Sequence, residues 1–440
     1  MGVCKRNKIA GEEINEEMKK ITALLLGAGM RGAFAYAPYA EKYPHELEFV
    51  AVSEPMRERR EAFAKRFRIP ESHVFSTWEE ALAQPRIADV AIICTQDRMH
   101  YEPAMKALEL GYDVLIEKPM SPSPRECFEM EAAARKNGRL LMICHVLRYT
   151  AFWKAVKRVI SDGQIGQVVS IQLNENVGYY HIAHSFVRGN WRNAGESSPM
   201  ILAKSCHDLD LLCWLMDQEC VRLSSFGSLM HFTSQNAPEG SAERCTDGCP
   251  AEEKCPFSAP RFYLNNPDWA KFVTFDESRE GILKALREGP YGRCVYRCDN
   301  NVVDHQVVNM EFANGATAMF SMCGFTHDVS RSIQIMGTKG EIRGTMEDSK
   351  LNVYDFASGE MAVIHVKPGM NGHGGGDEGI VRSFLNAVRN RDADGQNLSS
   401  AEEAVKSHLL AFAAEESRLN GGKSIDIRAY KQSLLESMRI

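Results

Sequence analysis

The feature that most restricts the fold is a regular alternation of short apolar runs and amphipathic segments between residues 20 and 148. The runs are "ITALLLG", "LEFVAVSEP", "ADVAIICT", "YDVLIEKP" and "RLLMICHVL", and helical segments such as "HYEPAMKALELG" separate them. Continuous apolar runs are typical of parallel strands buried on both faces, and strands that alternate with helices form a doubly wound sheet. The pattern therefore predicts an α/β fold whose first domain spans residues 20–148.

The first strand-to-helix turn is "GAGMRG", in which Gly27, Gly29 and Gly32 stand in GxGxxG spacing. In a dinucleotide site the first glycine permits the turn, the second lets the backbone approach a pyrophosphate, and the third lets helix and strand pack closely. Glu54 ends the second apolar run, where a carboxylate would bind the ribose hydroxyls of the adenosine. The turn therefore predicts a dinucleotide-binding domain, and a glycine turn beside a solvated Glu54 is the alternative.

The cofactor preference follows from the charges beside this turn. A carboxylate at Glu54 repels a 2′-phosphate, which favours NAD over NADP. Arg57 and Arg59 follow closely enough in the sequence to soften that preference. Met30 and Arg31, inside the turn itself, are also predicted to bind the cofactor.

Two further segments end at the carboxyl edge of the same predicted sheet. "CTQDRMH" follows one strand, and Glu117, Lys118 and Pro119 follow the next. Ligands of open α/β sheets bind outside these carboxyl ends, so both segments are candidates to line the nicotinamide half of the site. An exposed loop lysine is the alternative for Lys118, and its spacing alone slightly favours that alternative.

The chain has 440 residues, more than one hydrophobic core normally holds, so a second domain is predicted over residues 149–440. "VDHQVVNMEFANGATAMFSMCGF" predicts a β-hairpin, and "RSIQIMGTKGEIRG" predicts another pair of strands. "SSAEEAVKSHLLAFAAEESRLNGG" predicts an amphipathic helix with a capping signal at its start. The second domain is therefore expected to be rich in strands and to hold the substrate.

One helix of this domain combines burial with charge. "MILAKSCHDLDLLCWL" has apolar residues at helical spacing, which predicts a helix from Met200 to Leu215. Lys204, His207 and Asp208 stand at i, i+3 and i+4 and therefore share one patch, whereas the following "LLCWLM" is apolar almost all round. A buried helix that begins with these three polar side chains indicates that the patch has a function, which the helix pattern alone does not name.

Charge and hydropathy exclude some partners. The net charge of −6 comes from interspersed acids and bases without a long basic run, which argues against a nucleic-acid partner. No run approaches the roughly 18 apolar residues of a membrane span, and the first 20 residues lack the apolar core of a signal peptide. We therefore expect a cytoplasmic protein, in which the thirteen cysteines are thiols.

Polar and aromatic residues that suit a sugar site cluster in "HVLRYT" and in "YYHIAHSFVRGNWRN". The second segment could instead be a surface loop, and its position before the His207 helix favours a site. The Gly-rich "NGHGGGDEG" is either a loop that closes over the site or an exposed turn. The predicted substrate-binding residues are His145, Arg148, Trp191, Arg192 and Asp208.

A Cys-rich insert occupies about residues 240–300. Its cysteines are spaced C-x3-C-x5-C, followed by a C-x3-C pair, which differs from the usual C-x2-C spacing of zinc sites. A small structural zinc clip and a local thiol cluster both remain open, and no metal is predicted in the reaction itself. The five residues are Cys245, Cys249, Cys255, Cys294 and Cys298.

"GAGMRG", Glu54, "CTQDRMHYEPAMKALELGYDVLIEKP", "DGQIGQVVSIQ" and "HDLDLLCWL" together resemble the Gfo/Idh/MocA family of oxidoreductases, from about residue 21 to the C-terminus. The resemblance implies a Rossmann domain followed by an α/β domain with a large, mostly antiparallel sheet. One face of that sheet would carry the substrate and the other often an oligomer interface, so a homo-oligomer, dimer or tetramer, is expected. The implied activity is NAD(P)-dependent oxidation or reduction of a sugar, cyclitol or related polyol.

The resemblance also implies roles for individual residues. Lys118 would contact the nicotinamide ribose and the reacting substrate oxygen, and His207 would match the active-site histidine of the family. Thr95, Gln96 and His100 fall where the family lines the nicotinamide side of the pocket.

One position departs from the family pattern. Many dehydrogenases of the family carry an aspartate four residues before the histidine, and here that residue is Ala203, followed by Lys204. Lys204 is therefore the candidate to take over part of the acid–base work. The departure leaves room for an NAD-dependent glycosidase that oxidises its substrate only transiently. A non-catalytic NAD(H) sensor is a further alternative, which the intact Lys118 and His207 oppose.

Overall fold

The computed structural model describes residues 19–369, 373–390 and 399–438. The charged leader lies outside these residues, as do Met370, Asn371 and Gly372 at the start of the Gly-rich segment. Among the described residues, no helix is both long enough and apolar enough to cross a membrane.

The first sheet has six parallel strands in the order β3-β2-β1-β4-β5-β6. The order reverses direction beside β1, between the segments that carry Gly27 and Lys118, and such a reversal is where open α/β sheets bind their ligands. The strands are β1 Ile21–Leu26, β2 Leu47–Ser53, β3 Val74–Phe75, β4 Val90–Ile93, β5 Asp113–Ile116 and β6 Leu141–Ile143.

Helices cover both faces of this sheet, because its strands carry apolar side chains on either side. A π-helical turn, Met30–Tyr36, follows β1 directly. The α-helices are α1 Pro38–Lys42, α2 Arg57–Phe67, α3 Trp78–Leu82, α4 Tyr101–Glu109 and α5 Pro124–Lys136.

The second sheet has nine strands in the order β14-β13-β12-β11-β7-β10-β9-β8-β15. Among the described strands of this sheet, only β7 and β10 pair in parallel, which confirms the predicted, mostly antiparallel sheet. Both strand pairs predicted from the sequence are present. The strands are β7 Val168–Asn176, β8 Cys220–Ser228, β9 His305–Phe312, β10 Thr317–Cys323, β11 Ser330–Gly337, β12 Gly340–Thr345, β13 Lys350–Asp355, β14 Met361–His365 and β15 Ile425–Asp426.

In the described part of the chain after residue 150 there are ten further helices, and one face of the second sheet packs against several of them. A second π-helical turn, Ala183–Arg188, continues α7. The helices are α6 Ala151–Ser161, α7 Tyr179–Ile182, α8 Met200–Ala203, α9 Cys206–Met216, α10 Ala259–Asn265, α11 Pro267–Ala270, α12 Arg279–Glu288, α13 Gly376–Arg389, α14 Ala401–Leu419 and α15 Ile427–Met438.

The two sheets are joined by shared helices as well as by the chain itself. Ile380 and Phe384 of α13 pack in the core of the first sheet, although they lie far beyond residue 149. Helix α14 contributes Val405 to the first sheet and Ala411 to the core of the second. The apolar contacts therefore cross the predicted boundary, which stabilises one arrangement of the two sheets.

The single helix predicted from Met200 to Leu215 is wrong in one respect, because the structure breaks it at Lys204 and Ser205. Ser205 has a ψ angle of 4°, outside the helical range, so α8 and α9 meet at an angle. The apolar periodicity continues through the break, which is why the sequence pattern did not show it. The break places the end of α8 against the edge of the first sheet.

Two glycines of the first turn are held by close packing. Gly27 has a φ angle of +95°, and a Cβ added there would lie 2.6 Å from the carbonyl oxygen of Cys94. A Cβ on Gly32 would lie 2.2 Å from the oxygen of Gly27 and 3.1 Å from Leu25. By contrast, the nearest atom to a Cβ on Gly29 is Nη1 of Arg59, at 3.8 Å. The structure therefore agrees with the three glycine roles predicted from the spacing.

These contacts predict that two similar substitutions differ in their effect on the stability of the protein. Gly32→Ala should lower the free energy of unfolding by about 1–3 kcal/mol, because the added methyl group overpacks the turn. Gly29→Ala should leave stability within about 0.5 kcal/mol of the wild type, since its methyl group makes only an ordinary van der Waals contact with the end of the Arg59 side chain. Urea denaturation of both variants tests the difference, and equal stabilities would contradict the assigned packing.

Candidate active site

The Gly-rich turn and Glu54 form a cradle at the carboxyl edge of the first sheet. Glu54 is only 5% exposed, and its carboxylate accepts hydrogen bonds from the backbone N–H groups of Ala28, at 2.9 Å, and Met56, at 3.0 Å. The solvated alternative for Glu54 is therefore wrong. Because the space beside Gly29 is open, a pyrophosphate can approach the backbone there, and the residues present fit a dinucleotide.

Lys118 connects the first sheet to the second domain. It follows β5, and its Nζ donates a hydrogen bond of 2.6 Å to the carbonyl oxygen of Ala203, at the end of α8. The side chain is half-buried, so the prediction of an ordinary exposed loop lysine is wrong. The break after Ala203 makes this bond possible, since a continuous helix would have used that carbonyl oxygen internally.

His207 lies in the first turn of α9, beside this bond. It is 4% exposed, and its Nδ1 has no hydrogen-bond partner among the described residues. Burial lowers the pKa of His207 well below its usual value, and the nearby Lys118, His145 and His373 lower it further. The imidazole is therefore neutral near pH 7, the form that can accept a proton.

Four imidazole rings form a row through the site. The centroid of the His207 ring lies 6.1 Å from that of His373 and 5.8 Å from that of His145, which in turn lies 5.6 Å from His408. His408 is held at both nitrogens, because it accepts from the N–H of Met120 at 2.8 Å and its Nδ1 lies 2.7 Å from the oxygen of Ala404. The row is therefore anchored at its buried end and reaches the site at His373.

A group of ion pairs fixes Lys204. Its Nζ lies 3.1 Å from Oε1 of Glu175, and the other oxygen of Glu175 lies 2.7 Å from Arg331. Arg331 also donates to Asp208 at 2.8 Å. Burial lowers the pKa of Lys204, and Glu175 opposes that effect. Burial raises the pKa of Asp208 to about 6, even though Arg331 favours its charged form.

Glu175 and Arg331 are site residues that the sequence analysis missed. They face each other on neighbouring strands, β7 and β11. Ile171 and Leu173 share the buried face of β7 with Glu175, because successive side chains of a strand alternate in direction. A charged residue in register with buried apolar ones was the signal that could have revealed this pair.

Arg31 and Glu117 were both predicted to bind cofactor, and the structure pairs them with each other. The Nε of Arg31 donates to Glu117 at 2.5 Å, and its Nη2 donates to Asp377 at 2.6 Å. Tyr36 also donates to Glu117, and Asp377 contacts His373 at 3.2 Å. These groups hold the turn after β1, the loop after β5 and the start of α13 together, and Met30 remains partly exposed beside them.

The segment after β4 also contacts the second domain. Asp97 is buried and accepts from the indole N–H of Trp191 at 3.1 Å and from the hydroxyls of Ser197 and Ser198. Gln96 is exposed at this edge. The indole N–H of Trp191 is therefore bonded to protein, and its role as a substrate-binding residue stays a prediction.

His100, predicted to line the nicotinamide pocket, is buried behind it. Its ring nitrogens lie 2.7 Å from the carbonyl oxygen of Pro119 and 3.1 Å from that of Thr95. The hydroxyl of Thr95 donates to the oxygen of Met99. His100 therefore shapes the loops that carry Lys118 and Thr95 and does not face the crevice.

Four predicted substrate-binding residues need correction because their polar groups are occupied or buried. Arg148 is 2% exposed and forms a bidentate pair with Asp210, with both bonds at 2.7 Å. Arg192 donates to Asp299 through two bonds of 2.8 Å near the surface. His145 is fully buried behind His207. Asp208 accepts a hydrogen bond from Arg331, so its carboxylate orients that cation.

The cysteines of the insert do not form a metal site in the described residues. Four of them line one small pocket with Arg188, which donates to the sulfur of Cys245 at 3.6 Å. Within the described parts of the chain, no three His, Cys, Asp or Glu side chains are placed to bind one metal ion. The arrangement observed is a local cluster of thiols.

Comparison with known families agrees with both halves of the fold. The model of the oxidoreductase family with an NAD-binding Rossmann fold matches residues 21–145. The model of the C-terminal alpha/beta domain of the same family matches residues 157–427. The chain belongs to the Gfo/Idh/MocA oxidoreductase family. The predicted family, the two folds and the NAD cofactor are confirmed.

Individual relatives place the chain within this family. It is 26% identical over 363 residues to the putative oxidoreductase YteT of Bacillus subtilis. The matched region covers 77% of this chain and 82% of that protein. It is 28% identical over 187 residues to scyllo-inositol 2-dehydrogenase (NADP(+)) IolW of Bacillus subtilis, covering 42% of this chain and 49% of that protein.

One solved structure shows how far the fold is shared. An inositol dehydrogenase homolog of Azotobacter vinelandii, complexed with NADH and myo-inositol, has a TM-score of 0.67 at 14% identity. The superposition covers 93% of this chain and 98% of that one. The likeness therefore includes both domains of the Gfo/Idh/MocA fold.

The Glu175 pairs predict a large loss of stability when one partner is removed. Glu175→Gln should lower the free energy of unfolding by about 3–5 kcal/mol, because it leaves Lys204 buried without its counter-ion. The double variant Glu175→Gln with Lys204→Met should recover part of that loss. Glu311→Gln, at an exposed pair with Arg222, is the control and should cost less than about 1 kcal/mol in urea denaturation. A Glu175→Gln loss no larger than the control would refute the role.

The buried histidines predict acid sensitivity. Burial lowers the pKa values of His145 and His207 well below 6.5 and that of His408 to about 3. Below pH 6.5 the unfolded chain binds protons at these residues and the folded protein does not, so stability falls as the pH falls. Each contributes about 1.4 kcal/mol per pH unit.

Urea titrations between pH 7 and pH 5 measure this slope. His145→Gln should make it shallower by one histidine, whereas His45→Gln, at a side chain that is 65% exposed, should leave it unchanged. An unaltered slope in His145→Gln would show that His145 is protonated in the folded protein.

Proposed function

We propose that this enzyme transfers hydride between NAD and a CH–OH group of a sugar, cyclitol or related polyol. The observation that carries the proposal is the neutral, buried His207 beside the ammonium group of Lys118, at the carboxyl edge of a dinucleotide-binding sheet. IolW is named for an inositol, and the Azotobacter vinelandii homolog was crystallised with one. These names support a polyol as the substrate class.

The residues divide the chemistry between them. The nicotinamide, when bound, supplies the acceptor or donor of the hydride. His207 accepts the hydroxyl proton of the alcohol, because a neutral imidazole in a dry site is a base at neutral pH. Lys118 lies beside it and would stabilise the negative charge that develops on the same oxygen.

Lys204 is proposed to orient the substrate. Glu175 and Arg331 restrict its ammonium group to one position, and Asp208 restricts Arg331 in turn. A cation held in this way can donate hydrogen bonds to a substrate hydroxyl without a large entropy cost. Its lowered pKa also makes proton exchange with the substrate easier than for an exposed lysine. Lys204, the residue that follows Ala203 at the family's aspartate position, therefore has a defined place in the site.

The test is turnover with a panel of sugars, cyclitols and glycosides in the presence of NAD, followed by NADH fluorescence. We expect NADH to accumulate with at least one free polyol. His207→Asn should then lower kcat by about 100-fold or more while NADH affinity stays within about twofold, because the base acts after binding. Turnover that survives His207→Asn within a fewfold would exclude it as the base.

The same panel separates two other functions. Cleavage of a glycoside without net NADH would identify the transient-oxidation glycosidase, for which the Ala203 position leaves room. NADH binding without turnover of any compound would identify a sensor. The placement of Lys118 beside the buried His207 favours catalysis over sensing.

We also propose a homo-oligomer, a dimer or tetramer. Val169 and Met319, on adjacent strands of the second sheet, are 49% and 36% exposed. Apolar side chains on an open sheet face suit a contact with a second copy. A cytoplasmic location is proposed as well, supported by twelve described cysteines that remain thiols.

A further inference from the structure

The Cys-rich insert reaches the dinucleotide-binding edge of the first domain. Its aromatic residue Phe275 is 66% exposed, and the guanidinium carbon of Arg59 lies 5.9 Å from the centre of its ring. Arg59 belongs to α2, which begins three residues after Glu54. A segment of the second domain therefore lies against the part of the first domain that faces the cofactor.

The insert is anchored where it makes this contact. The ring of His184 stacks on Tyr291 with centroids 4.6 Å apart and lies 4.9 Å from Trp269. The hydroxyl oxygen of Tyr263 lies 2.6 Å from Nδ1 of His184. Burial raises the pKa of Tyr291, and the charge of Arg59 opposes that effect, so this ring also lies near the guanidinium. Packed aromatic side chains therefore hold the part of the insert that carries Phe275.

Arg59 is a cation without a counter-ion in the described part of the chain. No carboxylate among those residues pairs with it, whereas its neighbour Arg57 donates to Glu61 at 2.7 Å. Nη1 of Arg59 is also the atom nearest to a Cβ built on Gly29. Because Gly29 is where the backbone lets phosphates approach, this cation lies beside the position that a phosphate of the cofactor would occupy.

We propose that the insert forms the outer wall of the cofactor site, where Arg59 binds a phosphate of the dinucleotide and Phe275 covers the guanidinium. The inference extends the NAD site of the proposed function to a segment of the second domain. An arginine can stack one face on an aromatic ring while the N–H groups at its edge bind phosphate oxygens. The phenyl ring also displaces water, which strengthens the ion pair that forms beneath it.

Two phosphates share this chemistry. The pyrophosphate occurs in NAD and NADP, whereas the 2′-phosphate occurs only in NADP. If Arg59 binds the pyrophosphate, its loss weakens both dinucleotides equally. If it binds the 2′-phosphate, its loss weakens only NADPH.

The experiment is fluorescence titration of the full-length protein with NADH and with NADPH. Arg59→Gln should raise the Kd of one or both dinucleotides about tenfold, the loss expected for one charge-assisted contact. Arg135→Gln, at an exposed arginine of α5 that pairs with Glu131, is the matched control and should stay within about twofold. An Arg59→Gln value equal to the control for both dinucleotides would overturn the phosphate site.

The insert is tested separately by stopped-flow release of NADH. Phe275→Ala should speed dissociation about threefold, the effect of losing one partly exposed cation–π contact and its cover. Phe356→Ala, at an exposed phenylalanine beyond β13, is the control. Equal release from both variants would show that the insert is not part of the cofactor site.

These outcomes are distinct from those of the proposed function. A protein that binds NADH through Arg59 but oxidises no polyol would support this inference and refute the activity. A protein that turns over a polyol, with Arg59→Gln indistinguishable from Arg135→Gln, would refute this inference alone.

Discussion

The hydrogen bond from Lys118 to the carbonyl oxygen of Ala203 is the contact on which the site depends. It joins the carboxyl edge of the first sheet to the end of α8, and it exists because the helix breaks before Cys206. The same break starts α9 with His207 in its first turn. One local departure from helical geometry therefore brings a cation and a neutral base from two domains to the same place.

Paired charges make this arrangement stable. Buried ions are costly to desolvate, and a site that gathers several cations needs carboxylates at short range. Glu175 meets that need for Lys204 and Arg331, and Glu117 with Asp377 meets it for Arg31. These carboxylates lie on a strand, on a loop and in the first turn of α13, and they hold cations in place while His207 stays neutral.

The sequence alone identified much of the fold because its signals were local. Continuous apolar runs separated by helical segments specify buried parallel strands, and the glycine spacing specifies a turn that only glycine can form. The residues marked by such patterns, Gly27, Gly29, Gly32 and Glu54, are where the sequence placed them. Lys118 and His207 were identified through a family resemblance, and the structure brings them to the same crevice.

Only the tertiary structure decided which polar residues face the crevice. Sequence gives the type of a side chain, but its partners come from strand register and helix packing, which depend on contacts between distant residues. Arg148 is therefore occupied by Asp210, and Arg331 becomes a site residue although it lies far along the chain from Lys204. The sequence determined two sheets and a cofactor turn, and long-range packing decided where the charges meet.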